Sequence, residues 1–336
     1  MEGATLFLLA IGCFATSVVA TRFVLGWLLR RRILDLPNER SSHTLPTPRG
    51  GGLAVTPVAL AGLGIVGFAD LAPPGLIVVA SATLGLFALS WFDDRRSLPA
   101  GARLMAHLLA AGAGLAAVPA EALVFQGLLP WWADRLAALL AWGWFINLYN
   151  FMDGIDGITG VETASVGLGL GMVGLIAGQA DLLPPGLVLA AAACGFLVWN
   201  WHPAKLFLGD SGSVPLGYLL GWLLLVAAAR GLWAPALILP LYYLADATIT
   251  LGRRAAKGEK VWHAHRQHFY QRAVAAGASH HAVALGVGAC NAGLVGAALL
   301  SVWAGSLLGL SAAAAVTSGF LMALWTRARQ DGAQAV

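Results

Sequence analysis

Apolar runs close to the length of a bilayer crossing recur along the whole chain. They cover residues 4–29, 51–69, 74–91, 103–119, 134–151, 158–178, 183–200, 213–229, 232–252, 280–303 and 306–326. A helix needs roughly twenty apolar residues to cross the hydrocarbon of a membrane, and these runs approach that length. The segments between them are short and polar, with turn residues at their edges, and none is long enough to form a separate soluble domain. The pattern predicts an all-α polytopic membrane protein of about eleven transmembrane helices, a single domain over residues 1–336.

Composition agrees with that pattern. The chain is 59% hydrophobic and 11% charged, far below the roughly 25% charged residues of a soluble domain, and its mean hydropathy is +0.77. The first run, Ala4 to Leu29, precedes Arg30, Arg31 and Arg32 and has neither a basic region before it nor a small-residue cleavage pattern after it, so it reads as a retained helix. Cys13, Cys194 and Cys290 all sit inside apolar runs without pairing or metal-ligand spacing, which makes them buried thiols. A net charge of +4 does not point to nucleic acid here, because basic residues in a membrane chain report topology.

An odd number of spans puts the termini on opposite sides. Counting connections alternately assigns 17 of the 20 Lys and Arg residues to one side, leaving only Arg22, Arg135 and Arg230 elsewhere. The positive-inside rule makes that side cytoplasmic, with the N-terminus outside and the C-terminus inside. The outer side keeps only scattered acids, Glu2, Asp70, Glu121, Asp134 and Asp181, so the chemistry is expected on the cytoplasmic face.

Five cytoplasmic segments carry that chemistry. The first runs from Pro37 through His43 to Pro46-Thr47-Pro48-Arg49-Gly50-Gly51-Gly52. Glycines entering a helix N-terminus offer backbone N–H groups to an anion such as phosphate, with Arg40, His43 and Arg49 adding charge; a solvated connection obeying the charge rule has the same composition. Asp93 and Asp94 end the third span, where the helix dipole and their mutual repulsion call for a metal ion, a cationic partner or protonation of one of them. Asn147 to Gly157 contains two Asn and two Asp with glycine after each Asp, an oxygen-rich and flexible set suited to Mg2+, although Asp-Gly turns capping helices would look alike. Gly209-Asp210-Ser211-Gly212-Ser213 leads into another helix, with Asp210 as N-cap or metal ligand. The last, Arg253 to His281, holds His263, His265, Arg266, His268 and Arg272. Arg266 among the histidines disfavours zinc and favours an anion such as a diphosphate, clamped by Arg266, His268 and Arg272; a basic juxtamembrane segment contacting acidic lipid has the same composition. Asp246, in the apolar run before it, needs a partner or a purpose.

Together these segments resemble the polyprenyl-phosphate N-acetylhexosamine-1-phosphate transferases, glycosyltransferase family 4, which includes the phospho-MurNAc-pentapeptide translocase and the enzymes that initiate O-antigen synthesis. The resemblance spans roughly residues 35 to 275. It implies transfer of an N-acetylhexosamine-1-phosphate from a UDP-sugar to undecaprenyl phosphate, with release of UMP and dependence on Mg2+, or Mn2+ in its place, in the inner membrane of a bacterium. It further implies Asp210 and Asp156 as metal ligands, and Asp93, Asp94, Asp156 and His268 as catalytic residues. His43, Arg49, Asn150, Asp153 and Arg266 become substrate-binding residues, and a homodimer is compatible with it. His268 is followed by Phe269-Tyr270-Gln271 rather than by the translocase's histidines, which favours the polysaccharide branch over peptidoglycan synthesis. Two rivals remain: a secondary transporter, expected to place its ionisable groups at the membrane midplane, and a catalytically dead scaffold.

Overall fold

The computed structural model describes residues 3–37, 45–263 and 265–330, and it is a bundle of helices. In chain order these are α1 (Gly3–Arg31), α2 (Gly52–Phe68), α3 (Leu76–Arg96), α4 (Ala100–Ala116), α5 (Trp131–Phe151), α6 (Ile158–Ile176), α7 (Leu183–Asn200) and α8 (Asp210–Ala227). Then follow α9 (Trp233–Ile238), α10 (Leu241–Ala256), α11 (Phe269–Ala275), α12 (His280–Ala304) and α13 (Ser306–Gln330). The remaining regular structure among the described residues is minor. It comprises short 3-10 and π turns and a two-residue antiparallel pair, β1 (Leu34–Asp35) with β2 (Thr47–Pro48).

Each expected span holds a helix, and among the described residues seven helices are long and apolar enough to cross a membrane, with α2 and α4 as shorter apolar companions. The chain is therefore an all-α, multi-pass membrane protein, while the figure of eleven crossings stays an expectation. Two details differ from the sequence reading. The span expected at 232–252 is two helices, α9 and α10, divided at Pro240, whose ring removes a backbone donor. The long loop expected after residue 253 contains the two-turn helix α11, too short to announce itself as a run.

The centre of the bundle is α8, buried along nearly its whole length and packed against α2, α3 and α5. Small residues permit that closeness. A Cβ on Gly52 would collide with the backbone of Ser211 and Gly212, so the first turns of α2 and α8 meet backbone to backbone. Trp142 of α5 stacks on Tyr218 of α8 with ring centroids 4.7 Å apart and an 8° tilt, and its indole N–H donates to the Tyr218 carbonyl at 3.1 Å.

The two ends of the bundle differ in kind. At one end Asp134 is fully buried and accepts the backbone N–H groups of Val124 and Phe125, while Arg230 pairs with Asp181 at 2.7 Å. Those contacts are structural. At the other end converge the described parts of the α1–α2 connection, the end of α3, and the α5–α6, α7–α8 and α10–α12 connections, which carry the described residues of the motifs singled out above.

Candidate active site

Arg49 follows the β1–β2 pair and is held by backbone bonds across to the α7–α8 connection: Phe207 donates to the Pro48 carbonyl at 2.8 Å, and Gly50 and Gly51 donate to the Phe207 carbonyl at 3.0 and 2.9 Å. This places the Arg49 guanidinium 2.6 Å from Asp210 Oδ1 and 3.2 Å from Asp94 Oδ1, with Asp35 at 3.9 Å. Those carboxylates drive its pKa above the ordinary arginine value in spite of the cost of burial, so it is a permanent cation.

Asp94 closes the arrangement. Its two carboxylate oxygens accept the backbone N–H groups of Asp210 at 3.0 Å and Ser211 at 3.1 Å, so the end of α3 caps the start of α8. Asp210 is therefore the first residue of α8 rather than its cap, and its carboxylate is free to face Arg49. The turn before it needs Gly209, whose backbone lies at φ +74° beside the Asp94 carboxylate. Beside Asp94, Asp93 is buried, accepts the Leu98 N–H and pairs with Arg103 of α4 at 3.2 Å; Arg103 also lies 3.9 Å from Asp210.

Asp153 stands in the α5–α6 connection. Burial, with the negative charge of Asp210 and Asp94, pushes its carboxyl up to about 7 against the pull of Thr159 and Arg49. Asn150 donates to Ser213 Oγ at 3.3 Å, tying the end of α5 to the first turn of α8. Asp94, Asp153 and Asp210 thus form one electrostatic group around Arg49.

A cavity of about 680 Å³ opens beside this group, between α3, α4, α5 and α8. Leu89, Leu104, Leu140 and Trp144 line its long apolar part, and Asp93, Arg103, Asn150 and Asp210 line its polar end. His107 of α4 also borders it, buried, with no hydrogen-bond partner at Nδ1 among the described residues.

Residues 76–228 match the family model described as glycosyl transferase family 4. That stretch of the chain, a little under half of it, is similar to glycosyl transferase family 4. Among curated members, a "probable undecaprenyl-phosphate N-acetylglucosaminyl 1-phosphate transferase" of Bacillus subtilis (strain 168) is 28% identical over 286 residues, 79% of this chain and 76% of the relative. A decaprenyl-phosphate N-acetylglucosaminephosphotransferase of Mycolicibacterium smegmatis is 29% identical over 80% of this chain and 76% of the relative. A phospho-N-acetylmuramoyl-pentapeptide-transferase of Moorella thermoacetica is 35% identical, but over 48% of this chain and 49% of the relative.

Within this chain the expected residues fall into three groups. Arg49, Asp93, Asp94, Asn150, Asp153 and Asp210 gather at the polar end of the cavity or around Arg49. Asp156 does not join them: its carboxylate is engaged by His202 at 2.7 Å, His280 at 3.3 Å and the Ala204 N–H at 3.1 Å. His268 is buried with its Nδ1 3.1 Å from Asp246, the carboxylate that also accepts the N–H groups of Phe269 and Tyr270 and so caps α11. That gives Asp246 its partner. Arg266 lies on the exposed part of the same connection. His43 lies outside the described residues.

The sequence reading missed Arg103, His107 and Arg254. Arg103 counted there only as a topological charge. Buried Arg254 turns out to organise the connection between α10 and α11, pairing with Glu259 at 2.8 Å and donating to the carbonyls of Lys260, Val261 and His263.

Proposed function

We propose that this chain transfers an N-acetylhexosamine-1-phosphate from its UDP-sugar to undecaprenyl phosphate, releasing UMP, as a membrane step that starts a cell-surface polysaccharide. The observation that carries the reading is the cavity, whose apolar wall suits a prenyl tail and whose polar end, at Arg103 and Asp210, suits the phosphate that ends it. The family relatives that match over about 80% of the chain are named as N-acetylglucosamine-1-phosphate transferases, whereas the Moorella pentapeptide transferase matches over 48%. That difference favours a simple hexosamine over the peptidoglycan precursor.

In the reaction, an oxygen of the lipid phosphate forms a bond to the phosphorus that carries the sugar. The bond from that phosphorus to the bridging oxygen breaks, and UMP leaves with its electron pair. Arg103 orients the lipid phosphate, and Arg49, fixed by the α7–α8 connection, pairs with the charge of the diphosphate. The backbone N–H groups at the start of α8, held by Asp94, aim the helix dipole at the same place. Asn150 and Asp153 are assigned to the nucleotide, and exposed Arg266 offers the last loop's contact to the diphosphate; buried His268, held by Asp246, takes no part. Holding the reactants in line is the main contribution of these residues.

Mg2+, with Mn2+ as a substitute, would be held by Asp210 with Asp94 and Asp153 beside it, where burial, together with the charges of Asp210 and Asp94, pushes the Asp153 carboxyl up to about 7. When bound there, the ion supplies charge neutralisation for the diphosphate and the leaving UMP. Asp156, turned toward histidines, is not among the ligands proposed.

Membranes containing the chain, incubated with undecaprenyl phosphate, Mg2+ and a panel of UDP-N-acetylhexosamines, should yield a lipid-linked diphosphate sugar whose mass identifies the hexosamine. Formation of product from the UDP-MurNAc-pentapeptide alone would replace this reading with peptidoglycan synthesis. Movement of a solute across vesicles with no lipid product would replace it with transport.

A further inference from the structure

Asp156, His202 and His280 come from three separate parts of the chain: the α5–α6 connection, the α7–α8 connection and the first residue of α12. One ligand atom from each, a carboxylate oxygen and two imidazole nitrogens, lies within 4.8 Å of the others. His202 Nδ1 is 2.7 Å from Asp156 Oδ2 and His280 Nδ1 is 3.3 Å from Asp156 Oδ1, with the two rings 5.2 Å apart. A tetrahedral ion with bonds of about 2.0–2.1 Å holds its ligand atoms about 3.3 Å apart. The group can close on such an ion with shifts of about an ångström.

We propose that Asp156, His202 and His280 form a binding site for a divalent transition-metal ion of the Zn2+ class, distinct from the carboxylate group at Asp94 and Asp210. Two imidazoles and one carboxylate select a borderline ion over Mg2+, which prefers oxygen. Although burial works against its charge, hydrogen bonds from His280 and His202 hold the Asp156 carboxylate below its ordinary range, so a ligand anion is already present. The Ala204 N–H donates to Asp156 Oδ2, giving the carboxylate the outer support that ligands usually have. His202 is 39% exposed at its side chain, which leaves an entry path and room for a water ligand. An ion here ties the connection bearing Asp153 to α12 and to the turn before α8; Gly157 N–H, donating to Asn200 Oδ1 at 2.9 Å, already links that connection to the end of α7.

The test is a Co2+ titration of the full-length chain in detergent after chelator treatment, with excess Mg2+ present to occupy the carboxylate group. The expected result is one equivalent of Co2+ with the intense visible bands of four-coordinate cobalt. Affinity should fall at least tenfold in His202→Gln and in His280→Gln, and should be kept in Asp210→Asn and in His265→Gln. His202→Gln alters a half-exposed side chain and carries the test even if His280→Gln does not fold. Absence of the cobalt bands in the wild type, or their survival in His202→Gln, would overturn the site and leave three residues joined by hydrogen bonds alone. Because Asp210→Asn abolishes the proposed transferase but not the cobalt signal, the two readings fail separately.

Discussion

The Asp94 carboxylate accepts the backbone N–H of Asp210 at 3.0 Å, so the last turn of α3 caps the first turn of α8. A carboxylate at a helix C-terminus is normally in the wrong field. Here the N-terminus of a second helix and Arg49 at 3.2 Å compensate it. That one contact joins two acidic motifs 116 residues apart.

The cap and the charge of Asp94 are separable. Asp94→Ala should lower stability by about 0.5–2 kcal/mol, read as a fall in Tm, because α8 loses its cap. Asp94→Asn keeps an acceptor and should disturb Tm less, yet lower UMP release by about 10²–10³-fold. Wild-type turnover in Asp94→Asn would mean that the charge is not used.

Gly212 of α8 meets Gly52 of α2 with no room for a side chain. Gly212→Ala should cost about 1–3 kcal/mol through overpacking. Gly64→Ala, where a Cβ meets nothing within 4 Å, should leave Tm unchanged. Thermal unfolding of both variants in one detergent makes the comparison.

Arg103 lines the polar end of the cavity and pairs with Asp93. Arg103→Ala should raise KM for undecaprenyl phosphate by about tenfold, one lost charged hydrogen bond, with KM for the UDP-sugar little changed. Equal rises in both would place Arg103 in general support of the site instead.

The carboxyl of Asp153 stands at about 7 in the fold against 3.8 ordinarily. A raised folded-state value means that the folded chain binds the extra proton between those two limits, so stability contributed by this group is lost as pH rises from about 4 to about 7 and is constant above. In chelator, Tm of the wild type should therefore fall relative to Asp153→Asn across that window. A constant difference between the two proteins would contradict the burial argument.

Much of this was legible in the sequence because the chemistry sits in short contiguous motifs. Asp93-Asp94, Asn150 with Asp153, and Gly209-Asp210 each stand at the end of an apolar run, and the charge rule put them on one face. Arg49 was legible for the same reason. Arg103 and His107 were not, because they lie in an ordinary apolar helix and acquire meaning only when α4 packs beside α3 and α8. Asp156 looked like a companion of Asp153 three residues away, but the connection turns between them and delivers it to His280, 124 positions along the chain. The break between α9 and α10 had a signal, Pro240, hidden inside a continuous apolar run.

The most direct test of the central claim is the formation of labelled lipid-linked sugar, together with UMP, in membranes carrying the wild type, Asp94→Asn or Asp210→Asn. The arrangement around Arg49 predicts product in the wild type that requires both undecaprenyl phosphate and the UDP-sugar, and near-complete loss in both variants at unchanged protein level. Undiminished product in both variants would contradict it.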